Sequence, residues 1–285
     1  MNSGFWKYSV MLILKVLICL PFMAFSQTIT AVQSIPDLKS GIQKAVMNVD
    51  VSRLRDMVQN LENYGNRSTW ENQWAVARWL EKKLRAYGLD VSVQSYQFSG
   101  RQWPNVIAQI KGHTKANDII MLIAHFDSTS DNQQRIAPGA DDNGSGVAVV
   151  IETARSLKEA SLGRTVMFGL FSNEEHGNAG SKAFAGNAKR NKLNIDAVIN
   201  LDILGYNTPE HVSLSDVVQS HHTFKHKLKS VYRTVKNRMF YFVKGKNQVK
   251  IAGGQRESLL VKAISSAFQK YAGLGIKEIT DDACV

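Results

Sequence analysis

Ile119-Ile120-Met121-Leu122-Ile123-Ala124-His125-Phe126-Asp127-Ser128 is an unbroken apolar run that ends abruptly in an imidazole and a carboxylate. A run apolar on both faces suits a strand buried on both sides. Downstream, Gly144 to Lys158 carries Val147, Val150, Ile151, Ala154 and Leu157 at helical spacing. Val166 to Phe171 and Ala197 to Leu201 are two further apolar runs. Apolar strands separated by an amphipathic helix predict a parallel sheet with helices on both faces, so the fold class is α/β. Upstream, residues 36 to 64 read as a helix with Val51, Leu54, Met57, Val58 and Leu61 on one face. Trp70, Trp74, Ala77, Leu80, Leu84 and Tyr87 mark a second helix, and Gly88 is placed to end it. Strands are expected at Asp90 to Phe98 and Val106 to Ile110, joined by a turn from Ser99-Gly100 through Pro104.

In open α/β sheets, sites form beyond the carboxyl ends of the strands. Here those ends read His125-Phe126-Asp127-Ser128, Ser172-Asn173-Glu174-Glu175-His176-Gly177 and Asn200-Leu201-Asp202-Ile203-Leu204-Gly205. The loop Pro138-Gly139-Ala140-Asp141-Asp142-Asn143-Gly144-Ser145-Gly146 leads into the helix between the first two. Imidazole and carboxylates are thus delivered to one sheet edge. His, Asp and Glu without thiolates form a ligand set suited to zinc or a similar hydrolytic divalent ion.

Composition narrows the class. The chain has 285 residues, 44% of them hydrophobic and 21% charged, which excludes a disordered chain and a polytopic membrane protein. Two cysteines, Cys19 and Cys284, supply neither a disulfide framework nor a thiolate zinc site. Lys7 and Lys15 followed by the short apolar run Val16 to Phe25 and then Ser26 read as a signal peptide over residues 1–26, with cleavage after Ser26. The competing reading, an uncleaved anchor, needs roughly 20 apolar residues. Export to the periplasm or the extracellular space follows, with one domain over 27–285: N-terminal helices over about 36–88, then a catalytic core from about 90.

The net charge of +11 gathers between Val217 and Arg256, a stretch without Asp or Glu. A solvated helix face followed by a hairpin accounts for most of it, and a polyanion-contacting surface over 225–256 is the alternative. No nucleic-acid-binding module is visible, so nucleic acid is not an expected partner.

Taken together, His125-Phe126-Asp127-Ser128, Gly139-Ala140-Asp141-Asp142-Asn143-Gly144-Ser145-Gly146, Asn173-Glu174-Glu175 and Leu201-Asp202 resemble the co-catalytic zinc exopeptidases of the bacterial leucyl aminopeptidase type. That family also takes in glutamate carboxypeptidase and, more distantly, glutaminyl cyclase. The resemblance runs from about Leu54 to Tyr206 and includes Asn105-Val106-Ile107-Ala108. It implies a three-layer α/β/α sandwich around a mainly parallel mixed sheet, and a peptide substrate hydrolysed from its N-terminus. It also implies two zinc ions held by His125, Asp142, Glu175 and Asp202, with Asp142 bridging, Asp127 orienting the imidazole and Glu174 as general base. His176 falls at a position where the family has no ligand.

A further histidine ligand, after a Ser-Asp-His type segment, is expected late in such chains, whereas this sequence ends Asp281-Asp282-Ala283-Cys284-Val285. The expectation is a chain lacking its C-terminal elements, able to hold at most one zinc tightly and poor as a catalyst. The alternatives are a substitute ligand among His211, His221, His222 and His226, or a lost metal site. Two other functions stay open: a glutaminyl-cyclase-like acyltransferase with one zinc, and a non-catalytic member that binds a partner.

Overall fold

The computed structural model describes residues 44–130, 137–205, 239–245, 248–253 and 275–280, the last three segments as backbone strands. The described elements are, in chain order, α1 (Val51–Glu62), α2 (Trp70–Ala86), β1 (Asp90–Phe98), β2 (Arg101–Ile110), β3 (Lys115–His125), α3 (Gly146–Leu157), β4 (Arg164–Phe171), α4 (Ala179–Arg190), β5 (Asn194–Leu201), β6 (Met239–Gly245), β7 (Gln248–Gly253) and β8 (Gly275–Thr280). A wide helical turn over Ala140–Ser145 precedes α3.

The strands form one mixed sheet in the order β1-β2-β4-β3-β5-β6-β7-β8. β4, β3, β5 and β6 run parallel at its centre. β1 and β2 pair antiparallel with each other, and β2 antiparallel with β4. β7 folds back on β6 as a hairpin, and β8 lies parallel to β7.

Successive side chains of a strand face opposite sides of the sheet, and the two sides bury different sets. Val106, Ala108, Ile120, Leu122, Ala124, Val166, Phe168, Leu170, Ile199 and Leu201 pack with Leu54, Leu61, Leu80 and Leu84 of α1 and α2 and with Val147 and Ile151 of α3. Ile107, Met121, Ile123, Met167 and Val198 pack with Phe184, Ala185 and Ala188 of α4. The result is the expected three-layer α/β/α sandwich.

Several boundaries differ from the sequence reading, each for a local reason. The helix expected over 36–64 is broken in two: residues 44–47 are helical, the chain leaves the helix over 48–50, and a longer helix starts at Val51, where the Asp50 carboxylate accepts from Ser52 N at 2.8 Å and caps a new N-terminus; residues 36–43 lie outside the described residues. In α2 the buried face is Gln73, Val76, Ala77, Leu80 and Leu84. Trp70 and Trp74 sit half-buried at its rim, both indoles donating to Gln102 O at 2.8 and 3.0 Å. β2 begins at Arg101, so the hairpin turn is Ser99-Gly100 alone, both at positive φ (47° and 76°), as a tight two-residue turn requires. Pro104 lies in the strand before the Val106–Ile110 stretch that pairs with β4, where its missing N–H costs β4 nothing. α4 has no counterpart in the sequence reading, since its buried residues are few and only Phe184 among them is large.

Candidate metal centre

The register of the parallel strands sets the site. His125 lies opposite Phe171, and Ile123 opposite Asn200. Two residues further along both chains, His125 and Asp202 come level, while the turn after Phe171 brings Glu174 and Glu175 to the same edge. His125 is 5% exposed; its Nε2 lies 3.1 Å from Asp142 Oδ1 and 3.6 Å from Asp202 Oδ1. His125, Asp142 and Asp202 each offer a ligand atom within 4.8 Å of the others, and so do His125, Glu174 and Glu175. The five residues from the strand ends and Asp142 from the loop meet here, counting Asp127, whose Oδ1 lies 3.5 Å from His125 Nδ1. Glu175 is grouped with His125 and Glu174 rather than with Asp142, its expected companion. His176 is exposed and belongs to neither group. His211, His221, His222 and His226 lie outside the described residues.

Asp127 does more than face the imidazole. Fully buried, it accepts Glu174 N at 3.0 Å on Oδ1 and Glu175 N at 3.2 Å on Oδ2. Asn173 turns the chain out of β4 with φ +52°, and its side chain donates to Tyr96 Oη at 2.9 Å and accepts from Gln73 Nε2 at 3.2 Å. Tyr96 Oη in turn pairs with Ser172 Oγ at 2.8 Å.

The loop bearing Asp142 is stitched to the end of β5. Asn143 Nδ2 donates to Leu201 O at 2.8 Å while its Oδ1 accepts Gly146 N at 3.0 Å. Ser145 Oγ accepts Leu204 N at 2.8 Å, and Asp141 Oδ1 accepts Gly205 N at 2.5 Å. Of the two neighbouring acids, Asp141 therefore holds backbone and Asp142 faces the histidine. Gly139 must be glycine: its φ is +50°, and a Cβ there would lie 2.5 Å from both Asp142 O and Ser128 Cβ.

Charge is concentrated. Burial pushes the Glu174 and Glu175 carboxyls up to about 7, reinforced by neighbouring carboxylates. Burial would lower His125, but Asp127, Asp142 and Asp202 outweigh it and hold the imidazole well above its ordinary value. Asp142 resists the upward push of burial because His125 and Arg67 pull it below the usual carboxylate range. Among the described residues, His125 Nδ1 and Asp202 Oδ1 are buried without a hydrogen-bond partner. Oxygen and imidazole donors packed this tightly, with orphaned atoms among them, fit a divalent cation of zinc's ligand preference.

Residues 105–252, just over half of the chain, match the model of peptidase family M28. The chain belongs to that family. This M28 chain is 33% identical to leucine aminopeptidase 1 of Aspergillus fumigatus over 195 residues, which covers 60% of this chain and 48% of the relative. It is 30% identical over 197 residues to a probable zinc metalloprotease of Pyricularia oryzae, covering 61% of this chain and 39% of the relative. The chain thus spans less than half the length of either curated relative. Among solved structures, LapB from Legionella pneumophila superposes with a TM-score of 0.60 at 20% identity, over 85% of this chain and 58% of that one. The aminopeptidase from Aneurinibacillus sp. strain AM-1 gives 0.51 at 16% identity, over 57% of this chain and 72% of that one. At such identities the structural likeness speaks for the fold.

The sequence reading missed Arg67, Gln73 and Tyr96. None stands in a motif with the ligands; their roles arise only once distant segments pack together.

Proposed function

We propose that this chain carries the metal site of an exported, zinc-dependent exopeptidase that removes N-terminal residues from peptides. The observation that carries the proposal is the His125–Asp142–Asp202 group with Glu174 beside it at the carboxyl edge of the sheet. Family membership and the aminopeptidase and metalloprotease names of its relatives support the reaction class. His125, Asp142, Glu175 and Asp202 would hold zinc, with two ions in the complete arrangement and Asp142 shared between them. Zinc, when bound, supplies Lewis-acid polarisation of the scissile carbonyl and makes water more acidic.

The chain's own residues do the rest. Glu174, half-buried and grouped with His125 and Glu175, accepts a proton from the attacking water and passes it to the departing amine. Asp127 fixes where Glu174 and Glu175 point by holding their backbone N–H groups. The signal peptide over 1–26 and the polyanion surface over 225–256 belong to the same proposal; the first lies outside the described residues, and of the second only strand backbone is described.

The test is Glu174→Gln. Turnover on aminoacyl anilides should fall about 10²–10⁴-fold with zinc content unchanged. Activity lost in step with zinc content would instead make Glu174 a ligand. Cyclisation of glutaminyl peptides without hydrolysis of the anilides would move the chain to the acyltransferase branch of the family.

A further inference from the structure

Arg67 lies in the short connection between α1 and α2 and is 0% exposed. Its side chain is satisfied by backbone carbonyls drawn from three separate segments. Nε donates to Phe126 O at 2.8 Å, Nη1 to Leu61 O at 3.2 Å and to Pro138 O, and Nη2 to Gly139 O at 2.8 Å. Its own backbone N donates to Ser128 Oγ at 3.2 Å, and that hydroxyl donates onward to Ala137 O at 2.6 Å. Phe126 stands between His125 and Asp127, and Pro138-Gly139 opens the turn that delivers Asp142. One guanidinium therefore holds the strand end that carries His125 to the loop that carries Asp142.

Four bonds from one side chain are an unusual way to fix a loop, because the charge must be desolvated to make them. A neutral donor would avoid that cost, which burial expresses by lowering the Arg67 guanidinium to about 10. What the charge meets behind the carbonyls is the site itself: Asp127 and Asp142 are the first two carboxylates that favour its charged form. A planar, permanently charged fork reaches several carbonyls at fixed angles, as no lysine does.

We infer that Arg67 is a positioning residue of the metal centre, holding Asp142 against His125 through the carbonyls of Phe126, Pro138 and Gly139. It touches neither substrate nor metal. It sets the separation of two ligands that come from different segments and offsets the negative charge they accumulate. The inference rests on the metal-site reading above.

The test is zinc binding to the full chain, measured by competition with a chromophoric chelator, with the visible absorption of the cobalt-substituted protein as a second readout. Arg67→Lys keeps the charge and loses the fork. Its zinc affinity should fall about 10–100-fold, the range typical of groups that orient metal ligands, and the cobalt spectrum should change. Should that variant not fold, Ser128→Ala loosens the same loop through Ala137 and should lower affinity several-fold with an altered cobalt spectrum. A folded Arg67→Lys or Ser128→Ala protein that melts earlier but binds zinc as tightly, with an unchanged cobalt spectrum, overturns the inference and leaves Arg67 a packing residue. His125→Ala separates the two levels. If it leaves zinc binding intact, the metal site itself is misplaced and this inference falls with it.

Discussion

Replacing Asp127 by Asn is a near-isosteric change that removes one buried acceptor. The carboxylate accepts two backbone N–H groups, one on each oxygen, at 3.0 and 3.2 Å, with no exposure to water. Asparagine keeps one acceptor and turns the other position into a donor, which then faces either Glu174 N or Glu175 N. Leaving that buried N–H unpaired costs about 1–3 kcal/mol. The surviving bond drops from charge-assisted to neutral, roughly 1 kcal/mol more. Metal-free stability should therefore fall by about 2–4 kcal/mol, or roughly 4–16 °C in melting temperature for a domain of this size. Zinc affinity should fall as well, about 10–100-fold, since His125 loses the carboxylate 3.5 Å from its Nδ1. Thermal melts with and without chelator, paired with zinc competition, read the two effects separately. A variant that weakens zinc binding while its metal-free melt is unchanged would refute the reasoning, because Asp127 would then serve the imidazole alone.

Asp142→Ala should lose more zinc than Asp202→Ala, since Asp142 lies nearer His125 Nε2 (3.1 against 3.6 Å) and is the proposed shared ligand; equal losses, by metal analysis of the folded proteins, would count against sharing. Tyr96→Phe removes the partner of Ser172 Oγ and Asn173 Nδ2, so it should cost about 1–3 kcal/mol of stability and slow turnover at unchanged zinc affinity, and normal turnover would show that the Asn173 turn holds Glu174 without it. The pH dependence has a definite sign. Glu174 and Glu175 rise from 4.5 to about 7 on folding, so in metal-free protein they contribute stability that is fully present below pH 4.5 and lost as pH climbs through about 7. His125, raised above its ordinary 6.5, acts in the same direction. A bound cation favours the deprotonated carboxylates, so the melting-temperature gain on adding zinc should be larger at about pH 8 than at about pH 5, and a gain independent of pH would contradict the burial of these groups.

The residues of the candidate site were legible in the sequence for a physical reason that does not extend to their supports. A strand buried on both faces announces itself by a solid apolar run, and a parallel sheet collects the ends of such runs along one edge. His125, Glu174, Glu175 and Asp202 therefore shared a place before any distance was known, and the glycine-flanked turn put Asp142 beside them. The pattern weakens where a helix covers the sheet with one large residue and otherwise small ones, as α4 does with Phe184 beside Gly180, Ala185 and Ala188, or where a large side chain rides a rim, as Trp70 and Trp74 do. It fails altogether for Arg67. The partners of that guanidinium are carbonyls of Leu61, Phe126, Pro138 and Gly139, and a carbonyl is the same in every residue, so no spacing of residue types encodes the contact. Gln73, Asn173 and Tyr96 pose a milder version, with side chains from α2, β1 and the turn after β4 meeting only when the sheet closes. The candidate ligands can be read along the chain because the sheet edge orders them. The residues that hold them in place appear only when the packed backbone shows which carbonyls and amides have come together.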